Sequence, residues 1–316
     1  MNKNLNALKK LSFAAIFGMY LVLVMGSLVT NTESGEGCGR SWPLCHGAVA
    51  PLPTIDSIIE FSHRAVTGIA GLIVILLAIW AYRVLSHRPE TKWLVAIAVG
   101  FLLIESGLGA ATVLWPEPPE ILALHMGVSL ISFAGVLLLG VLVIQLLNSS
   151  THRQTRPQGS FVKLVWFTAF WSIIVIYLGA YVRHAAPGIS CHGWPLCNGM
   201  LLPELYGSVG IQFVHRLAAA VFMLLIVVLY LKSRSYRLHR PDLYQGALCA
   251  LIFAVLQNLS GAYLVFDGAR VGSIMIHSAI LPFVFGSLSY LCMQVSAEPR
   301  QGDAEAHESS IRSSTA

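Results

Sequence analysis

The chain has 316 residues, 56% of them hydrophobic and only 11% charged, with a mean hydropathy of +0.70. Soluble domains carry about 25% charged residues, so a water-soluble globular fold is excluded and a bundle solvated by lipid is indicated. The net charge of +5 does not point to nucleic acid, because the basic residues stand beside hydrophobic runs, where membrane topology accounts for them.

A membrane helix takes roughly 20 apolar residues. Eight candidate spans follow in chain order: 11–30, 60–82, 93–114, 121–147, 163–182, 212–231, 243–265 and 272–295. The first follows Lys9 and Lys10 and ends in Val-Thr-Asn-Thr-Glu with no Ala-x-Ala site, which predicts a retained helix and not a cleaved signal. No Arg/Ser-rich transit peptide precedes it, so a bacterial plasma membrane is expected and not an organelle. Fifteen of the 20 lysines and arginines fall in one set of loops and the tail, which leaves Arg40, Arg64, Arg183, Arg216 and Arg270 on the other side. Both termini are therefore expected to be cytoplasmic, and the polar segment 298–316, with Arg300 and Arg312, is expected to be a disordered cytoplasmic tail.

The sequence repeats itself. Cys38-Gly-Arg-Ser-Trp-Pro-Leu-Cys45 returns as Cys191-His-Gly-Trp-Pro-Leu-Cys197, and Glu60-Phe-Ser-His63-Arg64 returns as Gln212-Phe-Val-His215-Arg216. His63 and His215, Glu105 and Gln257, and His125 and His277 all stand 152 positions apart. The predicted fold is an all-α polytopic membrane protein of eight helices, arranged as two pseudo-symmetric four-helix bundles. Residues 1–150 form one half and 151–297 the other, as a parallel repeat about an axis along the membrane normal.

Each half places two histidines near the outer ends of its second and fourth spans: His63 and His125, then His215 and His277. A lone histidine in an apolar helix is usually a packed, hydrogen-bonded residue. Four at matching depth, two per bundle, instead suit axial ligation of haem iron by facing imidazoles. A closed zinc site wants four protein ligands, and only one half has a carboxylate at the Glu60 position. Arg64 and Arg216 each follow a histidine. They read either as interface-anchoring side chains or as partners for haem propionates, with Arg40 and Arg183 as weaker candidates for the second role.

Cys38, Cys45, Cys191 and Cys197 lie in the two long outer loops, where the compartment is oxidising. One short disulfide per loop is expected. A metal site and reactive thiols are the alternatives, although neither pair has the two-residue spacing of zinc or thioredoxin motifs. Cys249 and Cys292 read as small packing residues within helices.

The halves differ in their acids. Glu60, three residues before His63 on nearly the same helix face, faces Gln212 across the repeat. A carboxylate there suits proton transfer beside the first site; the bland alternative is a helix-start glutamate with Asp56 as cap. Glu105 lies well inside the third span where the second half has Gln257. A carboxylate at membrane depth is functional by default, or else simply protonated and hydrogen-bonded.

These elements together resemble the bacterial-type haem A synthases, over about residues 5–295. The resemblance implies oxidation of a methyl group of haem O to a formyl group by successive hydroxylation, which supplies haem A to cytochrome oxidase. It further implies a resident haem b held by His215 and His277, with substrate haem O between His63 and His125. Glu60 would be the essential acidic residue beside it, and the first cysteine pair would be linked to activity. Membrane lipid, haem O synthase and an electron donor are the implied partners. Glu105 departs from the family, in which a neutral residue such as glutamine is expected. Two rivals come from other classes: a bis-histidine cytochrome b that carries electrons from quinol, and a haem transporter or chaperone.

Overall fold

The computed structural model describes residues 2–115, 119–147, 156–185 and 188–297; the expected tail at 298–316 lies outside them. Eight long helices run in order: α1 (Asn2–Asn31), α2 (Ile55–Leu85), α3 (Pro89–Leu114), α4 (Pro119–Leu147), α5 (Gly159–Ala185), α6 (Gly207–Ser233), α7 (Pro241–Phe266) and α8 (Val271–Ser296). Each is long and apolar enough to cross a membrane, so the chain is an all-α, multi-pass membrane protein. The helices overrun the apolar spans, most of all at α1, because a helix of about 30 residues extends roughly 45 Å, well beyond a hydrocarbon core of about 30 Å.

Local chemistry sets several of the starts. Thr54 caps α2 by accepting a hydrogen bond from the Ser57 N–H at 3.4 Å. Asp56, expected as a possible cap, instead accepts from the Ser34 hydroxyl at 3.0 Å. Prolines open α3 and α7, where the missing N–H costs nothing. At the start of α7 the Arg240 guanidinium is buried and pairs with Asp242 at 2.8 Å and with the Gln294 carbonyl of α8 at 3.1 Å. Partners on both sides make a buried charge tolerable.

Packing makes two closed rings. α1 packs on α2 and α4, and α3 bridges α2 and α4; α5, α6, α7 and α8 repeat that order. Each ring has its own core, around Leu8, Met19, Leu77 and Leu139 in the first and around Phe161, Ile226, Leu243 and Leu288 in the second. A small third cluster, Leu130, Ala134, Ile176 and Phe285, joins α4, α5 and α8 between them. α4 is the most enclosed helix, its apolar window 61% buried where the others reach at most 33%. The remaining helices turn Phe13, Phe17, Leu72, Trp93 and their like outward, as lipid requires. Helix approach relies on small residues: a Cβ on Gly135 of α4 would come within 2.8 Å of the Ala98 backbone of α3.

Candidate functional site

At the end of the bundle that carries both cysteine loops lies a cavity of about 1540 Å3, lined from all eight helices. A pocket for one drug-sized ligand occupies about 300–1,000 Å3, so this space exceeds a single such site. His63, His125, His215 and His277 all line it. His63 and His125 stand on α2 and α4 of the first ring, His215 and His277 on α6 and α8 of the second. The structure thus brings the four together in the two pairs expected from the repeat. Among the described residues no group of three His, Cys, Asp or Glu side chains is placed to hold a bare metal ion, whereas haem iron needs only two axial ligands.

Each histidine ring rests on a glycine of a neighbouring helix. Ideal Cβ atoms on Gly26, Gly109, Gly179 and Gly261 would stand 3.3, 3.5, 2.9 and 3.2 Å from Cε1 of His63, His125, His215 and His277. The absent side chains leave the rings room beside the helix backbone. Nδ1 of His63 and of His125 is buried with no hydrogen-bond partner. His277 is better held: its Nδ1 is 2.9 Å from the Ser260 hydroxyl, and the Gln257 amide nitrogen lies 3.1 Å from Nε2. Ligand histidines are commonly oriented by such outer partners. Paired imidazoles, glycine cradles and unsatisfied ring nitrogens in a large apolar cavity fit haem.

Glu60 is 3% exposed. Its Oε2 accepts from the Cys38 N–H at 2.7 Å, and its Oε1 pairs with Arg64. Arg64 in turn donates to the carbonyls of Ser41 and Leu44, both at 2.7 Å. The second half builds the same clamp without the charge. Gln212 accepts from the N–H groups of Ser190 and Cys191 at 3.1 and 3.0 Å and donates to the Gly188 carbonyl. Arg216 donates to the carbonyls of Gly193, Leu196 and Cys191. In both loops the residues of the Glu/Gln-x-x-His-Arg element therefore hold the cysteine loop down on the helix that carries the histidine. Arg183 bridges the rings instead, donating to Asn31 Oδ1 at 2.5 Å and to the Thr30 carbonyl at 3.0 Å. Arg40 is exposed at the cavity rim.

Cys38 bonds to Cys45 and Cys191 to Cys197, with Cα separations of 4.4 and 4.9 Å. Each bridged loop ends in a two-residue reversal, His46-Gly47 and Asn198-Gly199, whose four residues all have positive φ. Short antiparallel bridges from Cys45 to Ala48 and from Cys197 to Met200 close these turns. Asn-Gly is a favoured pair for such a turn; His46 reaches the same conformation with its ring 3.0 Å from the Gly37 carbonyl. Cys292 is buried as expected, but Cys249 is exposed on the surface of α7, so it is no packing residue.

Glu105 is buried at 3% exposure on the cavity wall beside Ser129, and its Oε2 has no partner. The glycine cradles, Ser260 and Ser129 were not singled out from sequence. Gly26 and Gly179, like Gly109 and Gly261, hold corresponding places in the repeat, and that correspondence was the signal available.

The family model of the cytochrome oxidase assembly proteins COX15-CtaA matches residues 9–289. A heme A synthase of Shouchella clausii is 40% identical over 294 residues, covering 91% of this chain and 97% of the relative. One from Halalkalibacterium halodurans is 41% identical over 286 residues, covering 88% and 94%. One from Bacillus licheniformis is 38% identical over 309 residues, covering 95% and 99%. With a family model spanning nearly all the described helices and relatives matched almost end to end, the chain belongs to the COX15-CtaA family of cytochrome oxidase assembly proteins.

Proposed function

We propose that the protein is a haem A synthase, an oxidoreductase that converts a methyl group of haem O to a formyl group by successive hydroxylation. The observation that carries this reading is one cavity lined by two histidine pairs whose surroundings differ in acid content, Glu60 and Glu105 against Gln212 and Gln257. In this reading residues 151–297 hold a resident haem b between His215 and His277, with Ser260 orienting His277 through Nδ1. When bound, that group supplies one-electron transfer.

Residues 1–150 receive haem O between His63 and His125. Glu60 serves as the acidic residue of this site: its oxygens are fixed by the Cys38 N–H and by Arg64, so the carboxylate is oriented before substrate arrives. The Trp42 and Trp194 loops, tied down by Arg64 and Arg216, cover the cavity and limit water at the reacting carbon. With their donors committed to loop carbonyls, Arg64 and Arg216 would reach haem propionates only through their remaining N–H groups; Arg40 and Arg183 stand nearby on the rim. Haem O synthase as supplier and a membrane electron donor are the partners this chemistry requires.

The test is co-expression with a haem O supply, followed by extraction and chromatography of the pigments. Haem A and hydroxylated haem O should appear only with the protein. Haem b alone would instead indicate an electron carrier, and unchanged, readily exchanged haem a transporter.

In this reading the loops bearing the disulfides lie on the extracytoplasmic side of a bacterial plasma membrane and both termini are cytoplasmic, supported by the distribution of lysine and arginine. Cys38, Cys45, Cys191 and Cys197 should label with an impermeant thiol reagent in intact cells only after reduction. A cysteine introduced between Arg234 and Arg240 should label only in permeabilised cells. The reverse pattern would overturn the orientation.

A further inference from the structure

One turn further along the helices from the first histidine pair, the cavity wall carries Glu105, Ser129 and Thr67. At the positions 152 residues on, the other half has Gln257, Leu281 and Ala219, which also line the cavity. The carboxyl and the two hydroxyls are thus peculiar to the first half, the second keeping only the Gln257 amide, whose Oε1 is likewise buried without a partner. Ser129 and Thr67 each donate their hydroxyl hydrogen to the carbonyl of the histidine one turn before, His125 and His63, at 2.9 and 2.8 Å. Their oxygens keep lone pairs that can accept, and the Ser129 hydroxyl also lies within hydrogen-bond reach of the Glu105 carboxyl. Glu105 adds a buried carboxyl oxygen without a partner. Such a group is costly to leave unpaired; Glu60, by contrast, has both of its oxygens engaged. This polar shelf thus offers acceptor lone pairs to an O–H or N–H donor, in a wall that is otherwise largely apolar.

From this arrangement we infer that Glu105, with Ser129 and Thr67, is a substrate-binding site for a hydroxyl group: it holds the alcohol formed when the methyl carbon is first hydroxylated. The inference rests on the haem A synthase reading. Haem O presents an apolar methyl at the reacting position and gains a donor there only after the first oxidation. A shelf of acceptors therefore discriminates between substrate and half-oxidised intermediate, and keeps the intermediate in place for the second step. A site that hydrogen-bonds a hydroxyl discriminates strongly against the analogue lacking it, because its own polar groups would be left unpaired.

The experiment compares Glu105→Leu and Glu105→Gln with the parent protein by two readouts. In cells supplied with haem O, the ratio of released hydroxymethyl haem to haem A should rise about tenfold or more in Glu105→Leu, the effect expected on losing a hydrogen bond to a buried carboxyl. Glu105→Gln keeps an acceptor oxygen and should restore most of the retention. Absorbance titration of the purified proteins should show that the parent binds hydroxymethyl haem more tightly than haem O, and that Glu105→Leu loses this preference. An unchanged product ratio and an unchanged preference in Glu105→Leu, with haem A still made by the parent, would overturn the inference alone. A parent protein that transforms no haem O would overturn the underlying function and the inference with it.

Discussion

Replacing His215 or His277 with alanine is expected to strip the resident haem from the purified protein, or to leave a high-spin, five-coordinate spectrum in place of a low-spin one. Loss of an outer-shell partner alone typically costs about 10–100-fold in affinity, so loss of the ligand should cost roughly 10²-fold or more. The glycine cradles give a subtler version of the same test. Gly179→Ala would place its Cβ 2.9 Å from Cε1 of His215, closer than real contacts allow, whereas Gly109→Ala would stand an ordinary 3.5 Å from His125. Gly179→Ala should therefore displace the ring and broaden or shift the low-spin spectrum, while Gly109→Ala leaves haem content close to normal. Full haem content and a wild-type spectrum in both histidine mutants would falsify the assignment of the resident site to the second half.

Glu60→Gln is expected to abolish most haem A formation while leaving the protein folded and its resident haem in place. Gln212 shows how the change is accommodated: a glutamine at this point of the helix still accepts from the backbone N–H groups of the cysteine loop. What the variant loses is the ion pair with Arg64 and the capacity to accept and return a proton. Removing such a group typically costs about 10²–10⁴-fold in rate, far beyond what a small loss of stability would do to a folded preparation. Substrate or partly oxidised haem should accumulate. Gln212→Glu should alter the spectrum or potential of the resident haem with product formation largely intact. Near-normal haem A from Glu60→Gln, with activity lost in Gln212→Glu, would mean that the roles of the halves are reversed.

Much of this was legible in the sequence for identifiable reasons. Eight helices follow from apolar runs that nothing but a helix can carry through lipid, and the grouping of the histidines follows from one constant offset. Helix ends were less legible, because α1 and α2 continue past their apolar windows into segments such as 2–10 and 55–59 whose composition carries no membrane signal. The environment of Glu60 was not legible at all. Its spacing from His63 suggested a side chain aimed at the same site, but only the folded loop reveals that the Cys38 N–H and Arg64 hold both of its oxygens. Arg64 and Arg216 were hidden in the same way, since their acceptors are backbone carbonyls about 20 residues upstream and carbonyls leave no mark on a sequence.

The way the two rings meet bears on how such a chain is put together. Each ring has a core of its own, and between them α4 lies on α5 and α8 while α1 lies on α8, around Leu130, Ala134, Ile176 and Phe285. That seam is apolar at this cluster and polar where Arg183 reaches Asn31 and the Thr30 carbonyl, as at a contact between subunits. Severing the chain between residues 147 and 156 would leave two polypeptides of four helices, each exposing its side of this seam. Made together in one membrane, they are expected to reassemble as a heterodimer, each bringing its own pair of histidines to the shared cavity.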